Sequence, residues 1–403
     1  MRIAFFSEGY DPFTNGVVVL LKAYREALEK AGHEVFVFAP EHHGRPEFED
    51  HVVRLPSLYW CKKTYPCLRP FAKNERLFAG GHFDVIHSHH PFSCGLLAER
   101  LARKHQIPLV YTFHTLLTNY SGYFPGASKV AEQGLLKIIR RHCERADAVT
   151  VSTGVMEKWL RQRGVETPIQ IVRPPITLQP APAGARERMR KHLGADENTV
   201  IALCASRLSL EKDVDFLIRA TKKFSNPNVK VVLVGSGPME VSLREQVEAL
   251  GLTQKVLFIG EAQHSEMPNW YAAADMLVFP SRNDTLGLVL IEAMASGLPC
   301  VAIDMNGPTE VVRNGETGYL VPFQERAFAA SVDRLAFDPD LRIKLSSQAR
   351  SWVMSQFNVD LALSLERAYE LARERMDADR LEGGRHGFGS RRHLKTKAKG
   401  WGI

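Results

Sequence analysis

Short apolar runs alternate with amphipathic stretches twice along the chain. In the first half the helical patterns are 17–31 and 93–105, and the apolar runs are 3–6, 35–39, 52–55, 84–88, 108–113, 147–151 and 169–172. The second half has helical patterns at 213–224, 240–250, 265–273 and 287–296, and apolar runs at 199–205, 229–235, 256–259, 275–280 and 299–303. Continuous apolar runs are typical of strands buried on both faces, and helical crossovers make their sheet parallel. The pattern therefore predicts two α/β domains with doubly wound sheets.

A proline-rich segment separates the two halves. Residues 174–182 contain four prolines in nine positions, which ends any helix and indicates an extended linker. We predict Rossmann-like domains at 1–178 and 179–355, a helix at 356–380 that could cross back to the first domain, and a basic, disordered tail at 381–403. Doubly wound domains bind ligands at the carboxyl ends of their strands, so the site is expected in the cleft between the domains.

The formal net charge of +7 is concentrated in the tail. Residues 383–403 carry six lysines and arginines and no acid, so the rest of the chain is nearly neutral. This distribution argues against nucleic-acid binding along the body of the protein. The tail is either a solubilising extension or a contact for anionic lipid headgroups.

Composition limits the cellular setting. No apolar run approaches the roughly 18 residues of a membrane-spanning helix, and the first residues lack the pattern of a secretory signal. The six cysteines are scattered without a CxxC pair, which favours a reduced, cytoplasmic chain and argues against a zinc site.

The strongest motif lies at 280–302, where the pattern is strand, turn, helix, glycine and strand. Because the helix begins near Gly287, its free N–H groups and positive dipole end face the turn and form an anion site. Asp284 lies in the turn and Glu292 lies in the helix, so both can reach one ligand. The alternative is that Asp284 only caps the helix and Glu292 is solvated.

This segment resembles the acid-x7-acid motif of the family 4 glycosyltransferases, which have the GT-B fold. The resemblance implies that Glu292 holds the donor ribose and that Asp284 approaches the sugar hydroxyls. It implies that Leu286, Gly287 and Leu288 present N–H groups to the sugar and the diphosphate. Asp284 stands where the family more often has glutamate, and Leu286 where it has Phe or Gln. These departures leave the identity of the sugar open.

A second motif, at 205–212, ends the first strand of the second domain and resembles the family's Gly-Arg-Leu-x-x-Glu-Lys-Gly loop. Arg207 and Lys212 suit a diphosphate leaving group, although residue types alone are equally consistent with surface charge before a helix. Asp213, at the family's last glycine, forms a DxD string with Asp215. Such strings bind metal in other glycosyltransferases, but here the acids open a helix as caps. We therefore predict a metal-independent site without a cofactor.

Two glycines at strand ends match loops of the same family. Gly16 follows the first strand and would let the backbone approach a phosphate, although an Asn-Gly pair alone is usually just a turn. Gly235 follows a later strand and corresponds to the family loop near the nucleotide base. Both are expected to bind the donor.

Histidines cluster at two strand ends. A lone histidine such as His114 is more often structural, but the family has a histidine at this position, close to the transferred sugar. We therefore expect His114 to donate a hydrogen bond to the donor sugar in the transition state. A metal cluster is the less favoured interpretation of His87, His89 and His90.

The acceptor is expected on the first domain. Residues 59–78 mix basic and aromatic side chains, among them Trp60, Lys62 and Lys63. Residues 128–145 predict an amphipathic basic helix that carries Lys137, Arg140 and Arg141. Such segments suit a membrane interface, and the alternative is a positive loop near a phosphorylated acceptor in a soluble domain.

Residues 111–125 resemble the stretch after the histidine in diacylglycerol glucosyltransferases, and Tyr120 and Tyr123 match two tyrosines expected near the acceptor. The prediction is a retaining hexosyltransferase that moves glucose from UDP-glucose to a lipid such as diacylglycerol at the inner membrane face. No acid is placed as an obvious nucleophile, which fits same-face attack assisted by the leaving phosphate. Alternatives are a soluble glycosyltransferase using a sugar phosphate or polysaccharide, a nucleotide-sugar epimerase or hydrolase, and a non-catalytic binding protein.

Overall fold

The computed structural model describes residues 1–12, 15–41, 48–59, 66–68, 75, 78, 80–114, 128–176 and 178–385. The strands of the first domain are β1 (Arg2–Phe6), β2 (Glu34–Pro40), β3 (Phe48–Glu49), β4 (Val52–Leu55), β5 (Ser57–Tyr59), β6 (Pro66–Leu68), β7 (Val85–Ser88), β8 (Leu109–Thr112), β9 (Ala148–Val151) and β10 (Ile169–Ile171). Its described helices are α1 (Gly16–Lys30), α2 (Ser93–His105), α3 (Ser128–Arg145) and α4 (Gly154–Gln162).

The first sheet has the strand order β10-β9-β8-β7-β1-β2-β4-β3, and β5 pairs with β6 as a separate antiparallel hairpin. All its strand pairs are parallel except β3 with β4. β1 lies between β2 and β7 and is fully buried from Ile3 to Phe6, as its continuous apolar run predicts. One hydrophobic core lies on each face of this sheet.

The second domain repeats the arrangement. Its strands are β11 (Val200–Ala205), β12 (Val229–Val234), β13 (Val256–Gly260), β14 (Met276–Phe279), β15 (Cys300–Ile303) and β16 (Gly318–Val321), in the order β13-β12-β11-β14-β15-β16. The described helices from residue 185 onward are α5 (Ala185–His192), α6 (Val214–Thr221), α7 (Glu240–Ala249), α8 (Met267–Ala273), α9 (Leu288–Ala295), α10 (Pro308–Val311), α11 (Glu325–Phe337), α12 (Pro339–Phe357) and α13 (Leu361–Arg385). All described strand pairs of this sheet are parallel, which confirms the predicted fold class.

The sequence pattern missed β16 and placed the C-terminal helix five residues too early. β16 has only four residues and is half-buried at its centre, so its short apolar stretch gives a weak strand signal. The helix predicted at 356–380 is α13, because the chain leaves α12 at Asn358 and Asp360 starts α13 by accepting a hydrogen bond from the Leu363 N–H at 3.0 Å.

Helix α13 returns to the first domain. Its buried side chains belong to the same core as α1 and the inner strands, and they are Leu361, Leu365, Tyr369 and Ala372. Glu366 also contacts the imidazole of His33 at 2.7 Å. The chain therefore passes between the domains twice. Among the described residues, no helix is long and apolar enough to cross a bilayer.

The carboxyl ends of the two sheets face each other across a cleft. A cavity of about 600 Å³ lies between α1 and the loop after β13, and it is lined by Val18, Val19, Lys22, Ala23, Glu26, Glu261, Ala262, Gln263, His264 and Ser265. The domains also touch directly, because the Thr285 hydroxyl of the second domain donates to the His114 carbonyl of the first at 2.7 Å. Such a cleft between domains is a common place for a ligand site.

Candidate active site

The loop after β14 and the loop after β11 bring opposite charges together in the cleft. The Lys212 ammonium donates to Asp284 Oδ1 at 2.7 Å, and the two side chains are 25% and 19% exposed. Helix α9 begins at Leu288, after Gly287, and no side chain caps it. Asp284 therefore does not cap the helix, and the free N–H groups of the first turn are open to an anion.

Backbone contacts hold the Asp284 loop in place. The Gly307 N–H donates to the Asp284 carbonyl at 3.0 Å. A Cβ atom at Gly307 would lie 2.3 Å from the Leu286 nitrogen, so only glycine fits there. Gly287 has φ +84°, a left-handed conformation that favours glycine. Leu286 is buried in the core of the second domain, and its backbone packs against Gly307.

The two acids of the DxD string are already engaged by arginines. Asp213 pairs with Arg282, the shortest contact being 2.6 Å, and Asp215 pairs with Arg219 at 2.7 Å. The expectation that Asp213 caps a helix was wrong, since its backbone is left-handed (φ +52°) and its side chain makes no cap. The family's glycine suits that conformation. Among the described residues, no group of three potential ligands could hold a metal.

Arg207 is exposed and lies in the loop directly after β11. Two glycines pack closely against the backbone of this loop. A Cβ atom at Gly235 would lie 2.0 Å from the Ser206 carbonyl oxygen, and one at Gly237 would lie 2.3 Å from the Leu208 carbonyl oxygen. These glycines let the Arg207 loop pack against the end of β12, a packing role that the sequence did not reveal.

Glu292 is nearly buried and both its oxygens have partners. Oε1 contacts His264 Nε2 at 2.9 Å, and Oε2 accepts from the Tyr271 hydroxyl at 2.7 Å. The alternative of a solvated Glu292 is therefore excluded. The hydrogen bond to Glu292 raises the pKa of His264, although partial burial opposes it. His264 lines the cleft, and Glu292 lines a small cavity that also includes residues of α1.

Gly16 lies at the first turn of α1. The Asn15 side chain caps this helix by accepting from the Val18 N–H at 3.0 Å. Gly16 also faces the other domain, since a Cβ atom there would lie 3.8 Å from the Leu288 side chain. The amino ends of α1 and α9 thus approach each other across the cleft.

His114 follows β8 and contacts two elements. Its Nε2 is 3.0 Å from His89 Nδ1, and its carbonyl accepts from Thr285. Its ring is enclosed deeply enough that burial lowers its pKa well below the ordinary value, and neighbouring histidines add to this. His114 is therefore neutral at pH 7. A neutral imidazole has one N–H to donate, which suits hydrogen bonding to a sugar hydroxyl.

Several acceptor and membrane predictions fall outside the described residues, namely Trp60, Lys62, Lys63, Tyr120, Tyr123 and the basic tail after Arg385. The predicted basic helix is α3, and Lys137, Arg140 and Arg141 are exposed on it. Arg140 is paired with Glu144 at 2.7 Å. Ile138 is 42% exposed, so one face of α3 presents both apolar and basic side chains.

The sequence did not single out four residues that complete the site. His264 and Tyr271 hold Glu292, Arg282 holds Asp213, and Thr285 joins the domains. Their partners lie 21 to 171 positions away in the chain. Local spacing carries no signal for such pairs, although Thr285 lies inside the recognised motif.

Two family descriptions match the chain. "Glycosyltransferase Family 4" matches residues 14–179, and "Glycosyl transferases group 1" matches residues 185–352. The first match ends within the proline-rich segment, and the second begins just after it. Together they cover every strand of the two sheets except β1.

Individual proteins are similar over most of the chain. The alpha-monoglucosyldiacylglycerol synthase of Streptococcus pneumoniae is 27% identical over 351 residues, covering 85% of this chain and 80% of that protein. The D-inositol 3-phosphate glycosyltransferase of Xylanimonas cellulosilytica is 31% identical over 286 residues, covering 67% and 68%. The structure of Anabaena Alr3699/HepE in complex with UDP-glucose superposes with a TM-score of 0.75 at 21% identity, covering 93% and 100%. The chain thus belongs to the GT-B glycosyltransferases that carry the family 4 and group 1 domains.

Proposed function

We propose that this glycosyltransferase moves glucose from UDP-glucose to a membrane lipid such as diacylglycerol, with retention of the α configuration and without a metal ion. The proposed binding of the donor rests on one observation, which is the pairing of Lys212 with Asp284 beside the uncapped start of α9. A diphosphate placed there would meet an ammonium, free N–H groups and the positive end of a helix dipole.

The residues have distinct roles in the proposed transfer. Lys212 carries three N–H donors, so it can keep its bond to Asp284 while it donates to a phosphate oxygen. Arg207 extends from the same segment after β11 and adds a second, bidentate donor. Both cations act most strongly as negative charge develops on the departing diphosphate, and this lowers the barrier to transfer.

The proposals of retention and metal independence rest on carboxylates that are already paired with lysine or arginine. Asp284 Oδ1 is bound to Lys212 and its Oδ2 is buried, so this acid is poorly placed to attack the anomeric carbon. A leaving phosphate that assists the acceptor on the same face of the sugar would instead give retention. Because Asp213 and Asp215 are each paired with arginine, cations of the protein take the place that a divalent ion would fill.

The lipid acceptor is supported by two independent observations. The pneumococcal relative is named alpha-monoglucosyldiacylglycerol synthase, whereas the UDP-glucose complex of HepE bears on the donor and not on the acceptor. Lys137, Ile138 and Arg141 are exposed on α3 of the first domain, a combination that suits an anionic membrane surface. A soluble phosphorylated acceptor is the competing proposal, because the inositol phosphate relative is 31% identical.

The test is UDP release from UDP-glucose by the purified protein in EDTA, with and without anionic vesicles that contain diacylglycerol. Release that needs the vesicles and is unchanged by EDTA supports the proposal, and NMR of the glycolipid should show the α anomer. Equal release with inositol phosphate and no vesicles would overturn the lipid acceptor. Loss of release in EDTA that Mg²⁺ restores would overturn metal independence.

A double charge reversal tests the proposed contact between α3 and the membrane. The double change Lys137→Glu and Arg141→Glu should weaken vesicle binding at least about 30-fold, since each basic residue near an anionic surface contributes about 1 kcal/mol and the two together about 2 kcal/mol. The matched control is Lys222→Glu with Lys223→Glu, which are exposed lysines of the second domain. Equal effects from both pairs would mean that net charge, and not the α3 face, determines binding.

A further inference from the structure

A row of histidine rings runs inward from the candidate catalytic His114. The ring centroids of His114 and His89 are 5.3 Å apart, and those of His89 and His87 are 4.3 Å apart. His87 and His89 are 0% and 1% exposed. A metal cluster is the less favoured interpretation of His87, His89 and His90 from sequence; in the structure a hydrogen bond joins His89 to His114, and ring stacking joins His87 to His89.

The inner end of the row is fixed on both sides. His87 Nε2 is 2.6 Å from the Thr112 hydroxyl, and its Nδ1 is 3.1 Å from the Tyr369 hydroxyl of α13. His87 is stacked on His89 and so restrains the plane of the His89 ring. His89 Nδ1 in turn lies 3.0 Å from His114 Nε2. The row therefore joins the C-terminal helix to the cleft.

Only one hydrogen can lie between His89 and His114. Burial lowers the pKa of both rings well below the ordinary value, so both are neutral at pH 7 and each carries one proton. Either His89 donates from Nδ1 to His114 Nε2, or His114 donates from Nε2 to His89 Nδ1. The first arrangement leaves the His114 proton on Nδ1, and the second leaves the His89 proton on Nε2.

The environment of His89 Nε2 favours the first arrangement. This atom is buried and has no hydrogen-bond partner among the described residues. A buried N–H group without an acceptor is rarely seen in proteins, and it costs the full desolvation of a donor. His89 therefore carries its proton on Nδ1, where an acceptor lies within reach.

We infer that His89 is a positioning residue that donates to His114 Nε2 and thereby holds His114 as the Nδ1–H tautomer. This leaves Nδ1–H as the donor that His114 offers to the transferred sugar. The catalytic consequence rests on the role of His114 in the proposed function. The tautomer itself does not, because it is a property of the protein without substrate.

The decisive measurement is the tautomer of His114 in the full chain labelled with ¹⁵N-histidine. Two-bond ¹H–¹⁵N correlation spectra distinguish protonated from bare ring nitrogens, and the His114→Gln variant identifies the signals. A proton on Nδ1 is expected. A proton on Nε2 would overturn the inference, whether or not any donor sugar is turned over.

Variants of His89 test the consequence. His89→Asn keeps an N–H donor near the position of Nδ1 and should keep both the tautomer and most of the turnover. His89→Leu removes the donor, so the His114 proton should shift at least partly to Nε2 and kcat should fall about tenfold, with little change in the donor KM. Unchanged kcat in a folded His89→Leu protein, or no recovery in His89→Asn, would overturn the positioning role.

Discussion

The two domains place different kinds of polar group near the cleft. The second domain uses charges in ion pairs, and its Lys212 and Asp284 keep 25% and 19% of their side-chain surface exposed. The first domain uses neutral imidazoles, and its His87 and His89 are at most 1% exposed. Charged groups resist burial because their desolvation is costly, whereas neutral rings with hydrogen bonds can lie inside a core. The two domains should therefore respond differently to pH and to substitution.

Lowering the pH should produce the largest difference between the domains, because it should destabilise the first domain more than the second. Burial lowers the pKa of His87 to about 3 and of His142 to about 4, and that of His89 also falls well below 6.5. Below pH 6.5 the unfolded chain binds protons that the folded domain does not. Stability is thus lost as pH falls, by up to about 1.4 kcal/mol per pH unit for each histidine. Together these three histidines give about 4 kcal/mol per pH unit.

Hydrogen exchange, corrected for intrinsic rates, should show β7 and β8 losing protection near pH 5 before β11 and β12. His142→Gln should flatten this dependence, and His192→Gln, at an exposed site of the second domain, should not. Earlier loss of protection in the second domain would contradict the comparison.

Removal of one charge should disable the second domain without unfolding it. Lys212→Met takes away a donor to the developing diphosphate charge, and we expect kcat to fall about 100- to 1,000-fold. The control is Lys222→Met, an exposed lysine that bonds only a backbone carbonyl among the described residues. Steady-state UDP release and the melting temperature are measured together. A fall of less than about threefold would remove Lys212 from the proposed mechanism.

Glu292 should have a moderate effect that lies mainly in donor binding. If Glu292 holds the donor ribose, as the family resemblance implies, Glu292→Gln weakens a charge-assisted hydrogen bond and the donor KM should rise about tenfold. The same change removes the partner that raises the pKa of His264, which should fall toward its ordinary value in NMR titrations. Glu248→Gln, on the exposed face of α7, is the matched control. An unchanged donor KM would exclude the ribose contact.

Thr285 should have the smallest effect, because its side chain contributes one neutral hydrogen bond between the two sides. Thr285→Val removes the donor to the His114 carbonyl while preserving shape, and one such bond contributes about 1 kcal/mol. We expect kcat to fall about fivefold, with the donor affinity of the second domain retained. Thr285→Ser keeps the hydroxyl and should restore turnover, and equal losses in both variants would contradict the contact.

Much of the fold and part of the site could be predicted from local patterns. The apolar runs located the central strands of both sheets, since buried parallel strands are continuous in sequence. The motif at 280–302 predicted a helix start near Gly287, and α9 begins at Leu288. The short β16 was missed, and the helix predicted at 356–380 begins five residues later, at Leu361.

The sequence by itself determined the fold class and the presence of cations and acids at strand ends, because both depend on neighbours within about ten positions. The tertiary structure alone decided which groups meet. It paired Glu292 with His264 and Tyr271, and it paired Asp213 with Arg282 instead of leaving it to cap a helix. It also placed His89, directly after β7, against His114. These choices depend on contacts between distant segments and on burial, and burial sets the protonation state of each imidazole.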